Sequence, residues 1–219
     1  MEQRRKKPAR RSAREKTYHH GDLAAALVEA AEAVLTERGV EGFTLRECAR
    51  RAGVSHAAPA HHFGDARGLL TEVAALGFER LTASEREARD EEPAGKRLIG
   101  TGLGYVRFAL SHPAQFQLMF QKGLVDHANE RLATASRAAF DVFIETYMQA
   151  NDVAFPEGMF KDTDPSVMRE WALVHGFATL AVQGQMGPAA SPSEIQNLMN
   201  FARAVFDGAQ SHGSSQNPR

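Results

Sequence analysis

The stretch GVSHAAPAHHFGD, residues 53–65, carries His56, His61 and His62 within two turns' length of chain. Imidazoles at this density can ligate a metal, move protons, or hydrogen-bond to phosphates and base edges. Spacing decides between these. Adjacent residues on a helix diverge by about 100°, and a separation of five does not bring two rings together. No pair here has the i, i+4 arrangement with which two imidazoles share a metal. Adding His19 and His20 does not change this, so hydrogen bonding is the expected chemistry, with no metal and no cofactor.

A second chemical set lies further along. Phe116, Met119, Phe120, Phe140, Phe143, Tyr147, Met148, Trp171 and His175 concentrate aromatic rings and thioethers in the second half of the chain. Most such residues build ordinary core. The Tyr147 hydroxyl, the Trp171 indole and the His175 imidazole are also the polar atoms with which an apolar cavity orients a guest. His175 reads equally as a ligand contact or as a core histidine. GTGLG at 100–104 lacks the third glycine of a dinucleotide loop, because position 105 is Tyr105, and no strand precedes it; helix packing through Gly100 and Gly104 is the expectation. No serine-hydrolase elbow, phosphate loop or zinc-protease signature is present, which leaves a histidine-dependent enzyme as the minority alternative.

The elements that position these groups read as helices throughout, with no period-2 run. Leu23, Leu27, Ala30 and Val34 form a helical stripe with Asp22 as expected N-cap and Gly39 as its stop. Thr44-Leu45-Arg46-Glu47 is a capping-box pattern opening a helix that stops near Ala52. Further helices are predicted over 65–89, 96–110, a short one ending at Gly123, then 127–150, 165–186 with Asp164 as cap, and a last one opened by the capping box Ser191-Pro192-Ser193-Glu194. DEEPAG, 90–95, reads as a boundary, and 151–165 as a loop.

Charge is divided unevenly. Residues 1–16, MEQRRKKPARRSAREK, hold eight basic and two acidic residues, a balance of +6, whereas the whole chain is at −1. A basic arm on an acidic body points to a polyanionic partner at one end. Apolar residues at 43% and the lack of any long apolar run argue for a globular chain with no membrane partner and no signal peptide, hence the cytoplasm. The single cysteine, Cys48, excludes an internal disulfide and fits a buried core thiol.

In TLRECARRAGVSHAAPAHHF the helix from Leu45 meets Gly53-Val54-Ser55 and then a second short helical segment. Gly53 permits a left-handed turn, Val54 packs into the angle, Ser55 is placed to cap, and Ala49 is small enough for two helices to cross. This is the grammar of a helix-turn-helix, whose second helix enters a DNA major groove. With Ser55 as cap the second helix spans about 56–62, and Pro59 falls at its fourth position. His56, Ala57 and Ala58 then lie near the groove floor, with His61 and His62 towards the backbone.

The run YHHGDLAAALVEAAEAVLTERGVEGFTLRECARRAGVSHAAPAHHFGDARGLL, about 18–70, resembles the DNA-binding domain of TetR-family transcriptional regulators. SHPAQFQLMF and WALVHGF resemble the branch of that family named for a Trp-His-Gly motif, here Trp171, His175 and Gly176. The resemblance implies an all-α fold, with an N-terminal three-helix helix-turn-helix domain and a C-terminal helical ligand-binding and dimerisation domain. It implies a homodimer on palindromic operator DNA, acting as a repressor and released by a small molecule of unknown identity. The corresponding organisation is a basic arm over 1–16, a DNA-binding domain over 17–66, a ligand and dimer domain over 67–209 and a polar tail over 210–219. The DNA-contacting set is Thr44, Arg46, Ser55, His56, Ala57, Ala58, His61, His62 and Arg67. The ligand set is Phe116, Met119, Phe120, Phe143, Tyr147, Trp171 and His175. The dimer set is Gly176, Phe177, Leu180, Gly184, Leu198, Phe201 and Val205. The chain departs from the family at Ala60, where an aromatic residue is usual, and at Ala66, where lysine is common; Arg67, His61 and the arm are the groups that can offset the lost phosphate contacts. A helical small-molecule-binding protein without regulatory coupling is the other alternative.

Overall fold

A computed structural model describes residues 20–153 and 165–213. The basic arm, the tail beyond 213, the loop 154–164 and the Asp164 cap lie outside the described residues. Among those described the chain is all helical: α1 (His20–Arg38), α2 (Leu45–Ala52), α3 (Ala58–Phe63), α4 (Ala66–Asp90), α5 (Arg97–Ser111), α6 (Pro113–Met119), α7 (Glu130–Asn151), α8 (Pro165–Val182) and α9 (Pro192–Gly213).

Local signals account for most of the boundaries. The Thr44 hydroxyl accepts the Glu47 amide at 3.2 Å and opens α2. At the other end of the chain the capping box closes in both directions, the Glu194 amide donating to Ser191 Oγ at 3.3 Å and the Ser191 amide to Glu194 Oε2 at 2.9 Å. Two expectations fail for physical reasons. Residues 20–22 are already helical, so Asp22 lies inside α1 and not at its N-cap position. α8 ends at Val182, short of 186, because Gly184 turns left-handed at φ 73° and takes the chain out of the helix. DEEPAG is the corner, with a 3-10 turn over Ala94–Lys96, that folds α5 back along α4.

That return is set by two glycines. A Cβ on Gly104 would lie 2.3 Å from the Ser84 carbonyl oxygen, and one on Gly100 2.6 Å from that of Ala88, so the α4 and α5 backbones touch where only glycine fits. The Ser84 hydroxyl donates to the Gly104 carbonyl at 2.8 Å across the same contact. Gly104→Val is therefore expected to destabilise the fold by about 3 kcal/mol, read as a lower denaturant midpoint at unchanged m value. α4 is common to both halves of the molecule: α1 and α3 pack on it, and so do α5, α6 and α7. Leu69, Val73 and Leu81 are buried along it in a single core. The division at residue 66 thus falls at the first residue of a helix that belongs to both units.

Candidate nucleic-acid interface and effector site

The head of the molecule is built on α2 and α3. Gly53 at φ 69° ends α2, and the Val54 amide donates back to the Ala49 carbonyl at 3.0 Å, fixing the angle between the helices. Cys48 and Ala49 are fully buried, and burial pushes the Cys48 thiol up to about 11, as an inert core residue requires. Ser55 is not the N-cap of α3. The Ala58 amide bonds the Ser55 backbone carbonyl at 3.0 Å, so residues 55–58 form a turn and the helix starts later, at Ala58. Pro59 consequently occupies the second helical position, where its missing amide costs nothing. It is buried and holds α3 down, while Ser55, His56, Ala57, Ala60 and His61 are exposed on one surface and Ala58 and His62 are half-buried. His62 stands between the rings of His61 and Phe63, with centroids at 5.5 and 6.1 Å. Among the described residues no group of three or more His, Cys, Asp or Glu could hold a metal.

The arginines of this head divide into committed and available. Arg51 reaches Glu37 of α1 at 2.8 Å and Glu47 at 3.0 Å, and Arg38 and Arg50 also pair with Glu47, whose carboxyl is held down to about 2, chiefly by its bonds to Arg50 and Arg51. Glu47 therefore serves as a hub fastening α2 to α1, and does not complete the capping box. Arg67 is committed too. It donates to the Val125 carbonyl at 3.2 Å and lies 3.6 Å from Asp126, so it ties α4 to the loop after α6 while its side chain stays 53% exposed. Arg46 is exposed and makes no ion pair among the described residues. Arg46→Ala is expected to weaken binding to every DNA sequence alike and to reduce the slope of log affinity against log salt by about 1, measured by anisotropy titrations.

The ligand set divides as well. Phe116 of α6 and Phe120 just past its end meet His175 of α8 with centroids at 5.7 and 4.6 Å, and Trp171 stacks on the same imidazole at 5.0 Å and 12°. Tyr105 of α5, absent from the sequence-derived set, completes this group. Its hydroxyl is 2.8 Å from His175 Nδ1 and its ring meets Phe116 edge-on at 5.8 Å. Burial holds the His175 imidazole below its usual value and pushes the Tyr105 phenol well above its own, so both are neutral near pH 7. Tyr147 donates to Ser166 Oγ at 2.6 Å, and Met119 faces α4, where a Cβ on Gly77 would meet its sulfur at 2.6 Å. Phe143 is fully buried on α7.

Between head and cluster runs a polar latch. Gln115, next to Phe116, is buried, accepts from Arg80 of α4 at 3.1 Å, and donates to Glu32 of α1 at 2.9 Å and to the Val73 carbonyl at 2.8 Å. Arg80 also pairs with Glu32 directly. Glu32, Arg80 and Gln115 line a surface cleft of about 360 Å³ that includes His112 at the hinge between α5 and α6. The far side of α6 is fastened too, the Asp126 amide donating to Thr71 Oγ1 at 2.9 Å on α4.

Of the residues expected at a dimer face, Leu180 and Phe201 are 46% and 52% exposed and share one side of α8 and α9. Phe177 and Leu198 are buried in the chain's own core, Phe177 against Phe206 at 5.7 Å, and have no surface left to give a partner. Gly184 lies beyond the end of α8, and Gly176 has open space where a Cβ would stand.

Two family models match. Residues 27–73 match bacterial regulatory proteins of the tetR family, and residues 98–206 match the tetracyclin repressor-like C-terminal domain. Among solved structures, a protein with unknown function from Rhodococcus sp. RHA1 is 35% identical, with 88% of this chain and 97% of that one covered, at a TM-score of 0.67. The TetR-family transcriptional regulator PfmR from Thermus thermophilus is 20% identical over 83% and 94%, at 0.59. The fatty acid degradation regulator FadR from Bacillus halodurans is 14% identical over 83% and 96%, at 0.60. No curated protein matches. None of the described helices is long and apolar enough to cross a membrane.

Proposed function

This chain belongs to the TetR family of DNA-binding transcriptional regulators, and we propose that within it the protein acts as a homodimeric repressor released from a palindromic operator by a small molecule. The exposed surface of His56, Ala57, Ala60 and His61 enters the major groove, and the basic arm adds phosphate or minor-groove contacts. The effector sits among Phe116, Phe120, Trp171, His175 and Tyr105, whose stack of Trp171 on His175 also favours the Trp-His-Gly branch. The protein is a regulator and not an enzyme, working in the cytoplasm.

One observation carries this reading. The helix that supplies Phe116 to the aromatic cluster, with Phe120 at its C-cap, also supplies Gln115 to the latch on α1, so a guest that displaces α6 pulls on the reading head. The heads of a dimer must stand one helical repeat of DNA apart, about 34 Å, or a multiple of it, to enter successive grooves, and a changed spacing costs affinity. The test uses the purified full chain and the duplex DNA flanking its own coding region, with affinity followed by anisotropy while small apolar compounds are added. Tight binding that one compound class abolishes is expected; binding indifferent to every compound would favour a DNA-binding protein without coupling.

A further inference from the structure

Six polar or charged side chains are buried among the described residues, and five have partners. Thr71, Thr82, Thr101 and Thr146 donate to carbonyls one turn back, and Gln115 belongs to the latch. The sixth is Glu85, 1% exposed, whose Oε2 has no hydrogen-bond partner among the described residues. It continues the buried stripe of α4, four residues after Leu81 and three before Ala88, and its backbone abuts α5 where a Cβ on Gly104 would come within 2.7 Å of its Cα. The next residue of α5 is Tyr105, close enough for a charge on Glu85 to act on its phenol, and Tyr105 is bonded to His175 of the aromatic cluster.

We infer that Glu85 selects the effector, its carboxyl group donating a hydrogen bond to the carbonyl oxygen of an uncharged, mostly apolar guest. This rests on the effector site proposed above. A buried donor left without an acceptor is destabilising, and a binding site is the setting in which a partner arrives later. Burial pushes the Glu85 carboxyl well above the usual carboxylate range, with the exposed Arg86 opposing only in part, and so favours the neutral acid, which has one O–H to give. Tyr105 and His175 are neutral as well. A site whose titratable groups are all uncharged accepts a neutral guest without rearranging charge, whereas an anion would meet no cation there, and a cation would first have to strip the Glu85 proton.

The probe is 6-propionyl-2-dimethylaminonaphthalene, whose ketone oxygen accepts hydrogen bonds and whose emission moves to longer wavelength when it does. The carbonyl-free 2-dimethylaminonaphthalene and the cation (2-naphthylmethyl)trimethylammonium serve as comparisons, all titrated into the full chain. The wild type and Glu85→Gln, which keeps a donor, are expected to bind the ketone with red-shifted emission. Glu85→Leu should bind it about tenfold more weakly with blue-shifted emission, while binding the carbonyl-free naphthalene no less tightly. Its melting temperature should equal or exceed that of the wild type, since the unpaired group is gone. Unchanged ketone affinity and emission in Glu85→Leu would overturn the assignment, as would wild-type preference for the cation that Glu85→Gln abolishes. If none of the three binds the wild type, the effector site itself falls, and the assignment with it.

Discussion

Leu180→Glu combined with Phe201→Glu is expected to give a folded monomer that binds operator DNA roughly 100-fold more weakly, because two linked half-site contacts become one. Both side chains are about half exposed on the same side of α8 and α9, and large apolar residues left in water at adjoining positions mark a surface meant to be covered. Val205 is half-buried beside them, and the open Gly176 lets a neighbouring helix approach. In the proposed dimer four helices, two from each copy, pack about a two-fold axis. Phe177 would be the wrong place for the charge. It sits in the core between Phe201 and Phe206, and a carboxylate there would unfold the chain without reporting on assembly. Sedimentation velocity gives the mass and circular dichroism the fold; a dimer in the double variant would place the interface elsewhere.

Gln115→Leu is expected to leave operator binding intact and to remove most of the effector's influence on it. The side chain is close to the volume of leucine, so packing against Gly77 survives, and Arg80 and Glu32 remain paired with each other. What is lost is the only hydrogen-bonded link among those described between α6 and α1. Couplings of this kind are worth roughly 5- to 150-fold in affinity, and the variant should reduce that factor towards one. Anisotropy titrations with and without effector measure it directly. Joint loss of DNA binding and effector response would show the latch to be structural.

What the sequence disclosed follows from range. Thr44, Gly53 and Ser191 act on residues within a turn or two of themselves, and these caps and stops were legible. Gly100 and Gly104 were legible as packing glycines because their spacing puts both on one face of α5. The start of α3 was misread because Ser55 has the composition of a cap, while its backbone carbonyl, which no residue type reveals, forms the turn. The latch joins residues 35, 48 and 83 positions apart, and no periodicity encodes which arginine meets which glutamate. The bond from Arg67 to Val125 was illegible for the same reason, its partner lying 58 residues on. Glu85 did leave a signal: a carboxylate standing on the register of Leu81 and Ala88 breaks the apolar stripe of α4. Tyr105 left less, being one polar ring on a helix buried almost all round.

The central claim, that a dimer reads DNA with the surface of α3 and of the turn before it, is tested most directly by selecting bound duplexes from a random pool with the purified full chain. Palindromic sequences are predicted, with half-site centres about 34 Å or a multiple of that apart, and Ala57→Gln should change the preferred bases within each half-site by roughly 1–3 kcal/mol per contact while leaving the spacing alone. Recovery of no common sequence, or of a palindrome whose bases are indifferent to residues 56 and 57, would contradict it.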